Sequence, residues 1–282
     1  MSALPEIPLN DGRKIPVVGY GFGTANLGKD SSDAVVLALS QGFYHLDGAE
    51  YYANDESIRV GLETAKVPRE EMFYTTKCCS NDPRKALQAA LKTLNLGYVD
   101  LYLLHGPDFF PELGVARAWE ICEEMQREGL CRSIGVSNFR VKDLEDLLKR
   151  AKVKPAINQF ELHPYLYKHE SALIDYCKTN DIAIATYASL TPLTSAKGGP
   201  VDATVERIAA ETGFTSGQVL LKWSQQVTSG IVITTSGKAS RLQEQLVAFT
   251  SMPDLTKLQI NAIVENGRSK HHRIFFPHMD EL

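Results

Sequence analysis

Apolar residues recur along the chain in two alternating rhythms. Short β-rich runs are each followed by a stretch with helical spacing. The runs end near Gly21, Asp47, Lys77, His105, Val136, Phe160, Tyr187 and Ile233, which makes eight. Most successive endings lie roughly 30 residues apart, the size of one βα unit. Between them, Leu87, Leu91 and Leu94 share one helical face after Asp82-Pro83, which supplies an N-cap and a first-turn proline. Ala118, Cys122 and Met125 repeat the pattern, as do Leu144, Leu147 and Leu148, and Val205, Ile208 and Ala209. Ile7 to Lys14, with Asn10-Asp11-Gly12 in the middle, predicts a hairpin ahead of the first run. The interval from Tyr187 to Ile233 predicts a loop around Ala196–Pro200 and then two helices, and Asp254 to Leu282 is a C-terminal extension.

Eight βα units with no linker-like shift in composition predict an α/β chain folded as a (β/α)8 TIM barrel, one domain over 1–282. In such a barrel the chemistry gathers at the C-terminal ends of the strands. Asp47, Lys77 and His105, polar residues that close apolar runs, are therefore the first candidates.

Composition narrows the classes. With 30 Lys and Arg against 34 Asp and Glu, the net charge of −4 lacks the basic excess of a nucleic-acid binder. The apolar runs are too short to span a membrane, and the N-terminus lacks the basic-then-apolar order of a secretory signal. Met279-Asp280-Glu281-Leu282 approximates an ER-retention tail, but Met stands where Lys or His belongs. The five cysteines are odd in number and never spaced C-x-x-C, as expected of free thiols in the cytoplasm.

Several familiar sites are excluded. Gly23 to Lys29 has Walker A spacing, but Asp30 stands where a hydroxyl should meet Mg²⁺. Gly19, Gly21 and Gly23 alternate as G-x-G-x-G, whereas the dinucleotide fingerprint needs glycine at 26, which is Asn. These glycines predict tight backbone at a strand end. The histidines form no H-x-x-x-H pair and no G-x-S-x-G elbow occurs, so neither a metal site nor serine-hydrolase chemistry has local support.

Asp47, Tyr52, Lys77 and His105 make chemical sense together. A phenol with a pKa of about 10 is a poor acid near neutrality, and an adjacent ammonium lowers that value. Lys77 can supply the ammonium, Asp47 can hold it charged, and His105 can orient a carbonyl by a hydrogen bond. Each also has an ordinary reading: a helix cap, a solvated lysine, a turn histidine, and a tyrosine packed beside Tyr51.

Gly42 to Tyr52 (GFYHLDGAEYY) and Ser133 to Phe139 (SIGVSNF) resemble the first two motifs of the aldo-keto reductases. Val99 to His105 and Ile157 to Tyr165 match further motifs in the same order, so the likeness spans nearly the whole chain. The resemblance implies NADPH lying extended across the C-terminal rim of the barrel. It implies a tetrad of Asp47, Tyr52, Lys77 and His105, with Tyr52 as general acid. Ser137, Asn138 and Gln159 match residues that hydrogen-bond the nicotinamide carboxamide, and Tyr187 the aromatic residue stacked under its ring. Gly23 and Thr24 match the turn beside the cofactor, and Leu190 a loop residue against the pyrophosphate.

The last motif departs from the common Lys-Ser pattern. Thr235 takes the lysine position, while Ser236 and Arg241 remain and Lys238 lies nearby. Lys238 and Arg241 are expected to share the 2′-phosphate. This variant is similar to fungal ketoreductases acting on conjugated polyketones, ketolactones and α-keto amides. Cys79 and Gly106 replace bulky residues common in aldose reductase relatives, which predicts an opened pocket, with Phe109 and Phe110 as an apolar wall or as plain packing. Ile274 to Pro277 is expected either to cap the pocket or to seal the barrel side.

The expectation is an NADPH-dependent carbonyl reductase, monomeric, acting on α-dicarbonyls, ketolactones or keto esters to give chiral alcohols. The alternatives are a general aldehyde or aldose-type reductase, and a non-catalytic NADPH-binding regulatory subunit.

Overall fold

The computed structural model describes residues 4–281, so residues 1–3 and the terminal Leu282 of the expected single domain and of the retention-like tail lie outside it. The chain starts with β1 (Glu6–Pro8) and β2 (Lys14–Pro16), an antiparallel hairpin pairing Ile7 with Ile15. Then follow β3 (Val18–Gly21), α1 (Ser32–Ser40), β4 (His45–Asp47), α2 (Asp55–Ala65), β5 (Phe73–Cys78), α3 (Pro83–Leu94), β6 (Val99–Leu104) and α4 (Val115–Arg127). The second half runs β7 (Cys131–Ser137), α5 (Val141–Leu148), β8 (Ile157–Glu161), α6 (Tyr167–Thr179), β9 (Ala183–Tyr187), α7 (Asp202–Thr212), α8 (Ser216–Thr228) and β10 (Ile231–Thr234). α9 (Ala239–Thr250) and α10 (Lys257–Gly267) complete it.

Strands β3 to β10 pair in parallel, and β10 returns to β3 to close the barrel. Alternation along each strand divides the core in two. Leu101 and Leu103 of β6 point inward, to a cluster with Ile157, Ala185, Ile231 and Ile233. Tyr102 and Leu104 point outward, under the helices. Leu9 and Ile15 belong to the inner cluster, so the hairpin plugs one end. Asn10 fastens it there, donating to the carbonyls of Pro155 and Asp181 at 2.8 Å each. Those residues precede β8 and β9, so the plug sits at the N-terminal end and the opposite rim is left for chemistry.

Local signals act as expected. Asp82 accepts from the Lys85 N–H at 3.0 Å to start α3, with Pro83 in its first turn. The C-terminal extension is not merely irregular: α10 packs against α6 and α7 before the chain returns across the rim.

The close approach at Gly19 has a cause. A Cβ there would stand 2.6 Å from Nδ1 of His45, a ring buried in β4 and paired with the Thr75 hydroxyl at 3.0 Å. Burial lowers the His45 pKa from 6.5 to about 4. The unfolded chain therefore binds a proton at this ring that the folded chain refuses. The contribution of this ring alone should fall by roughly 3 kcal/mol as pH drops from 6.5 towards 4, while Asp55, its carboxyl raised to about 6 by burial and by Glu50, works the other way over the same range. Urea titrations of the protein and of His45→Gln across this range isolate the ring as the difference between the two slopes; identical slopes would assign the proton elsewhere.

Candidate active site

Three strand ends and one turn bring the first candidates together. Asp47 closes β4, Lys77 is the penultimate residue of β5, and His105 follows β6. Tyr52 arrives from a short 3₁₀ turn, Glu50–Tyr52, which ends at Ala53 in a left-handed conformation with φ 51°.

Asp47 and Lys77 form a buried ion pair at 2.5 Å. The remaining protons of the ammonium go to the Gly48 carbonyl at 2.9 Å and the Tyr52 hydroxyl at 3.3 Å. Every ammonium donor thus has an acceptor. The second oxygen of Asp47 accepts from the Gln159 amide at 2.9 Å. A buried pair of this kind is weak evidence for stability, because desolvation offsets much of the attraction. Its position at the strand ends suits chemistry better.

The electrostatics correct one expectation. Lys77 does pull the Tyr52 pKa down, but burial is the larger effect and Asp47 adds to it, so the net shift is upward. The phenol is held protonated near neutrality. Burial also works against the Lys77 charge, but Asp47 and Tyr52 outweigh it and the lysine pKa rises. His105 moves the other way: burial first, and then the Lys77 charge, hold it well below 6.5, so the imidazole is neutral.

Four aromatic rings surround His105. Tyr52 lies at 5.8 Å, Phe109 at 5.7 Å, Phe276 at 5.7 Å and the exposed Tyr51 at 6.3 Å between centroids. Phe110 is not among them; it is buried in the outer core, which favours packing over substrate contact. A Cβ on Gly106 would meet Phe109 at 3.3 Å and Phe276 at 3.5 Å, so these two rings border the space beside the glycine. Cys79 stands half-buried, its N–H on the Glu50 carboxylate at 2.8 Å, its thiol pushed up to about 12 by burial and by that carboxylate.

The residues expected at a nicotinamide are joined to one another. The Ser137 hydroxyl donates to the Gln159 carbonyl at 2.8 Å, and Asn138 donates to Ser137 and to the His105 carbonyl at 3.0 and 2.9 Å. Tyr187 donates to the Asn138 amide oxygen at 2.8 Å. Asn138 takes a left-handed φ of 58°, where asparagine is among the better tolerated side chains. Leu190 lies half-buried in the turn after β9.

The remaining cofactor candidates lie around β3 and β10. A Cβ on Gly23 would stand 3.0 Å from the Tyr52 ring, so the backbone there lies flat on the tyrosine, with Thr24 exposed beside it. Thr235 and Ser236 follow β10, and the Ser236 hydroxyl accepts from the Lys238 N–H at 3.2 Å. Lys238 and Arg241 are exposed at the start of α9, where among the described residues no side chain caps the first turn. An uncapped helix N-terminus beside two cations suits a phosphate. Arg241 also pairs with Glu244 at 2.9 Å, a constraint the sequence pattern did not reveal. Hydrogen-bonding amides at one end and cations with uncapped helix N–H groups at the other are the donor types that a dinucleotide's carboxamide and phosphate would need. Among the described residues no group of His, Cys, Asp or Glu could hold a metal ion.

One contributor escaped the sequence reading: the Gly48 carbonyl, which is backbone and leaves no sequence signal.

Comparison with known proteins agrees with this geometry. Residues 20–267 match the model of the aldo/keto reductase family. The chain is similar to an NAD/NADP-dependent indole-3-acetaldehyde reductase of Schizosaccharomyces pombe, at 39% identity over 96% of this chain and 98% of that one. It is also similar to an NADPH-dependent alpha-keto amide reductase of Saccharomyces cerevisiae, at 32% identity over 92% and 89%. The crystal structure of an aldo/keto reductase from Brucella melitensis superposes with a TM-score of 0.80 at 33% identity, covering 93% of this chain and 99% of the other.

Proposed function

The chain belongs to the aldo/keto reductase family, and on that premise we propose that it is an NADPH-dependent carbonyl reductase with Tyr52 as proton donor. Its substrates are activated ketones, namely α-dicarbonyls, ketolactones and keto esters, reduced to chiral alcohols. It works as a single-domain monomer in the cytoplasm, close to the fungal ketoreductases. Membership makes it an oxidoreductase that uses a nicotinamide cofactor, and among the described residues no helix is long and apolar enough to cross a membrane.

One observation carries the reading. A phenol kept protonated by burial stands 3.3 Å from a buried ammonium. When bound, the reduced nicotinamide supplies a hydride to the carbonyl carbon. Neutral His105 hydrogen-bonds the carbonyl oxygen and orients it. Tyr52 gives that oxygen a proton as negative charge develops on it. Lys77 stabilises the phenolate left behind, and Asp47 keeps Lys77 charged throughout. Ser137, Asn138 and Gln159 hold the carboxamide, exchanging some of their mutual hydrogen bonds for it, and Tyr187 supplies an aromatic face. Gly23, Thr24 and Leu190 line the path of the cofactor. Thr235, Ser236, Lys238 and Arg241 receive its phosphate end.

The test follows NADPH oxidation with isatin, ketopantoyl lactone, xylose and indole-3-acetaldehyde. Preferred turnover of the first two supports the ketone assignment. A second reading, an aldehyde reductase that accepts either cofactor, is favoured by the Schizosaccharomyces pombe relative, whose name covers both properties. It wins if the aldehyde is preferred and NADH serves as well. Tight NADPH binding without turnover of any carbonyl would point to a regulatory subunit.

Cofactor choice has its own prediction. A charge-assisted hydrogen bond contributes roughly 1.5–3 kcal/mol, so Lys238→Ala should weaken NADPH binding by about tenfold to a hundredfold. The Kd for NADH should hardly move. Equal loss for both cofactors would remove Lys238 from the 2′-phosphate.

A further inference from the structure

The strap that follows α10 is anchored at a point that the reaction itself does not use. Glu161, the last residue of β8, is fully buried. Alternate side chains share one side of a strand, so Glu161 lies on the same side as Gln159. Its carboxylate accepts the Phe275 N–H at 2.9 Å and the Ile274 N–H at 3.2 Å. The ring of His163, also fully buried, meets it at 3.1 Å through Nε2. Burying a carboxylate is costly unless donors surround it, and here they converge from the strap and from the barrel.

What is anchored lies next in the chain. The Phe275 ring stands 5.8 Å from Tyr187. Phe276 stands 5.7 Å from His105 and 6.2 Å from Phe109. Phe276 takes a left-handed φ of 52°, uncommon for a bulky residue, so the strap must be held on both sides of it. Downstream, the His278 ring holds the Asn138 carbonyl at 3.0 Å. Upstream, Arg273 is ion-paired to Glu170 and Asp280, and among the described residues Glu161 alone takes the two amides that follow it.

We propose that Glu161 is a positioning residue for carbonyl reduction. By fixing the amides of residues 274 and 275 it sets the Phe276 ring against His105, and so decides which carbonyl compounds fit. The proposal rests on the reading of His105 as the group facing the carbonyl. A purely structural Glu161 would seal the barrel side without affecting one substrate more than another.

Steady-state kinetics with two carbonyls of different size separate these roles. Isatin is flat and aromatic and needs the wall, whereas methylglyoxal is too small to rely on it. In Glu161→Gln one anionic acceptor is lost and the shape is kept. The KM for isatin should rise about tenfold with kcat little changed, and methylglyoxal should stay within about twofold. In a Phe276→Ala background the same substitution should leave the isatin-to-methylglyoxal ratio unaltered, because the group it acts through is gone. Ile274→Pro removes one donor from the strap and leaves β8 intact, so it should reproduce the ratio change even if Glu161→Gln folds poorly. Equal losses on both carbonyls, or a ratio effect that survives Phe276→Ala, would overturn the proposal alone. Failure of the unsubstituted protein to reduce either carbonyl would overturn the reductase reading and this proposal with it.

Discussion

Tyr52→Phe should lower kcat by about 10²–10⁴-fold while leaving the Kd for NADPH unchanged, because it deletes the proposed proton donor and little else. The phenyl ring can keep the 5.8 Å contact with His105 and the packing against Gly23. Lys77 loses its longest hydrogen bond, at 3.3 Å, and retains Asp47 and the Gly48 carbonyl. The fold is therefore not at stake, and the loss should appear in single-turnover rates as well as in kcat. A loss of less than about tenfold would mean that a water or another side chain supplies the proton.

Lys77→Met should have the second largest effect, and it should be double. Removing the ammonium leaves the buried Asp47 carboxylate with the Gln159 amide as its remaining hydrogen-bond donor. An unpaired buried charge costs roughly 3–5 kcal/mol, so the melting temperature should fall by on the order of 10 °C. Turnover should collapse as well, since nothing would stabilise the phenolate of Tyr52. Adding Asp47→Asn removes the stranded charge. The double variant should regain most of the stability and none of the activity. Recovery of both together would show that Lys77 serves the fold rather than the proton transfer, and recovery of neither would show that the pair holds the strand ends together.

Much of this was legible from the chain. Expected run endings at Gly21, Asp47, Lys77, His105, Val136, Phe160, Tyr187 and Ile233 fall at or within one residue of the observed strand ends. Strands buried on both faces read as short apolar runs, and where a polar residue ends a run, as at Asp47, Lys77 and His105, it meets the rim. Asp82-Pro83 located a helix start because a cap is a local bond. The chemistry of Asp47, Tyr52, Lys77 and His105 suggested a set, and the resemblance to the aldo-keto reductases singled it out from the ordinary reading of each residue.

What local pattern could not carry was environment. The ammonium beside Tyr52 suggested a lowered phenol pKa, but burial outweighs it, and burial is a sum over the whole fold. Nothing near the glycine at 106 announced the ring that borders it, since Phe276 arrives from 170 residues further on. Phe109 and Phe110 are adjacent and chemically identical, yet one faces His105 and the other the core. Arg241, expected at the 2′-phosphate, also pairs with Glu244.

The order of elements, the closed parallel barrel and the residue types at its strand ends were thus determined by the sequence alone, because periodicity, capping and strand length act between near neighbours. The protonation of Tyr52 and His105, the wall formed by Phe276 and the anchor at Glu161 were decided only by the tertiary structure. Each depends on groups that closure of the barrel and return of the C-terminal strap bring together from distant parts of the chain, and desolvation exists only once they are assembled.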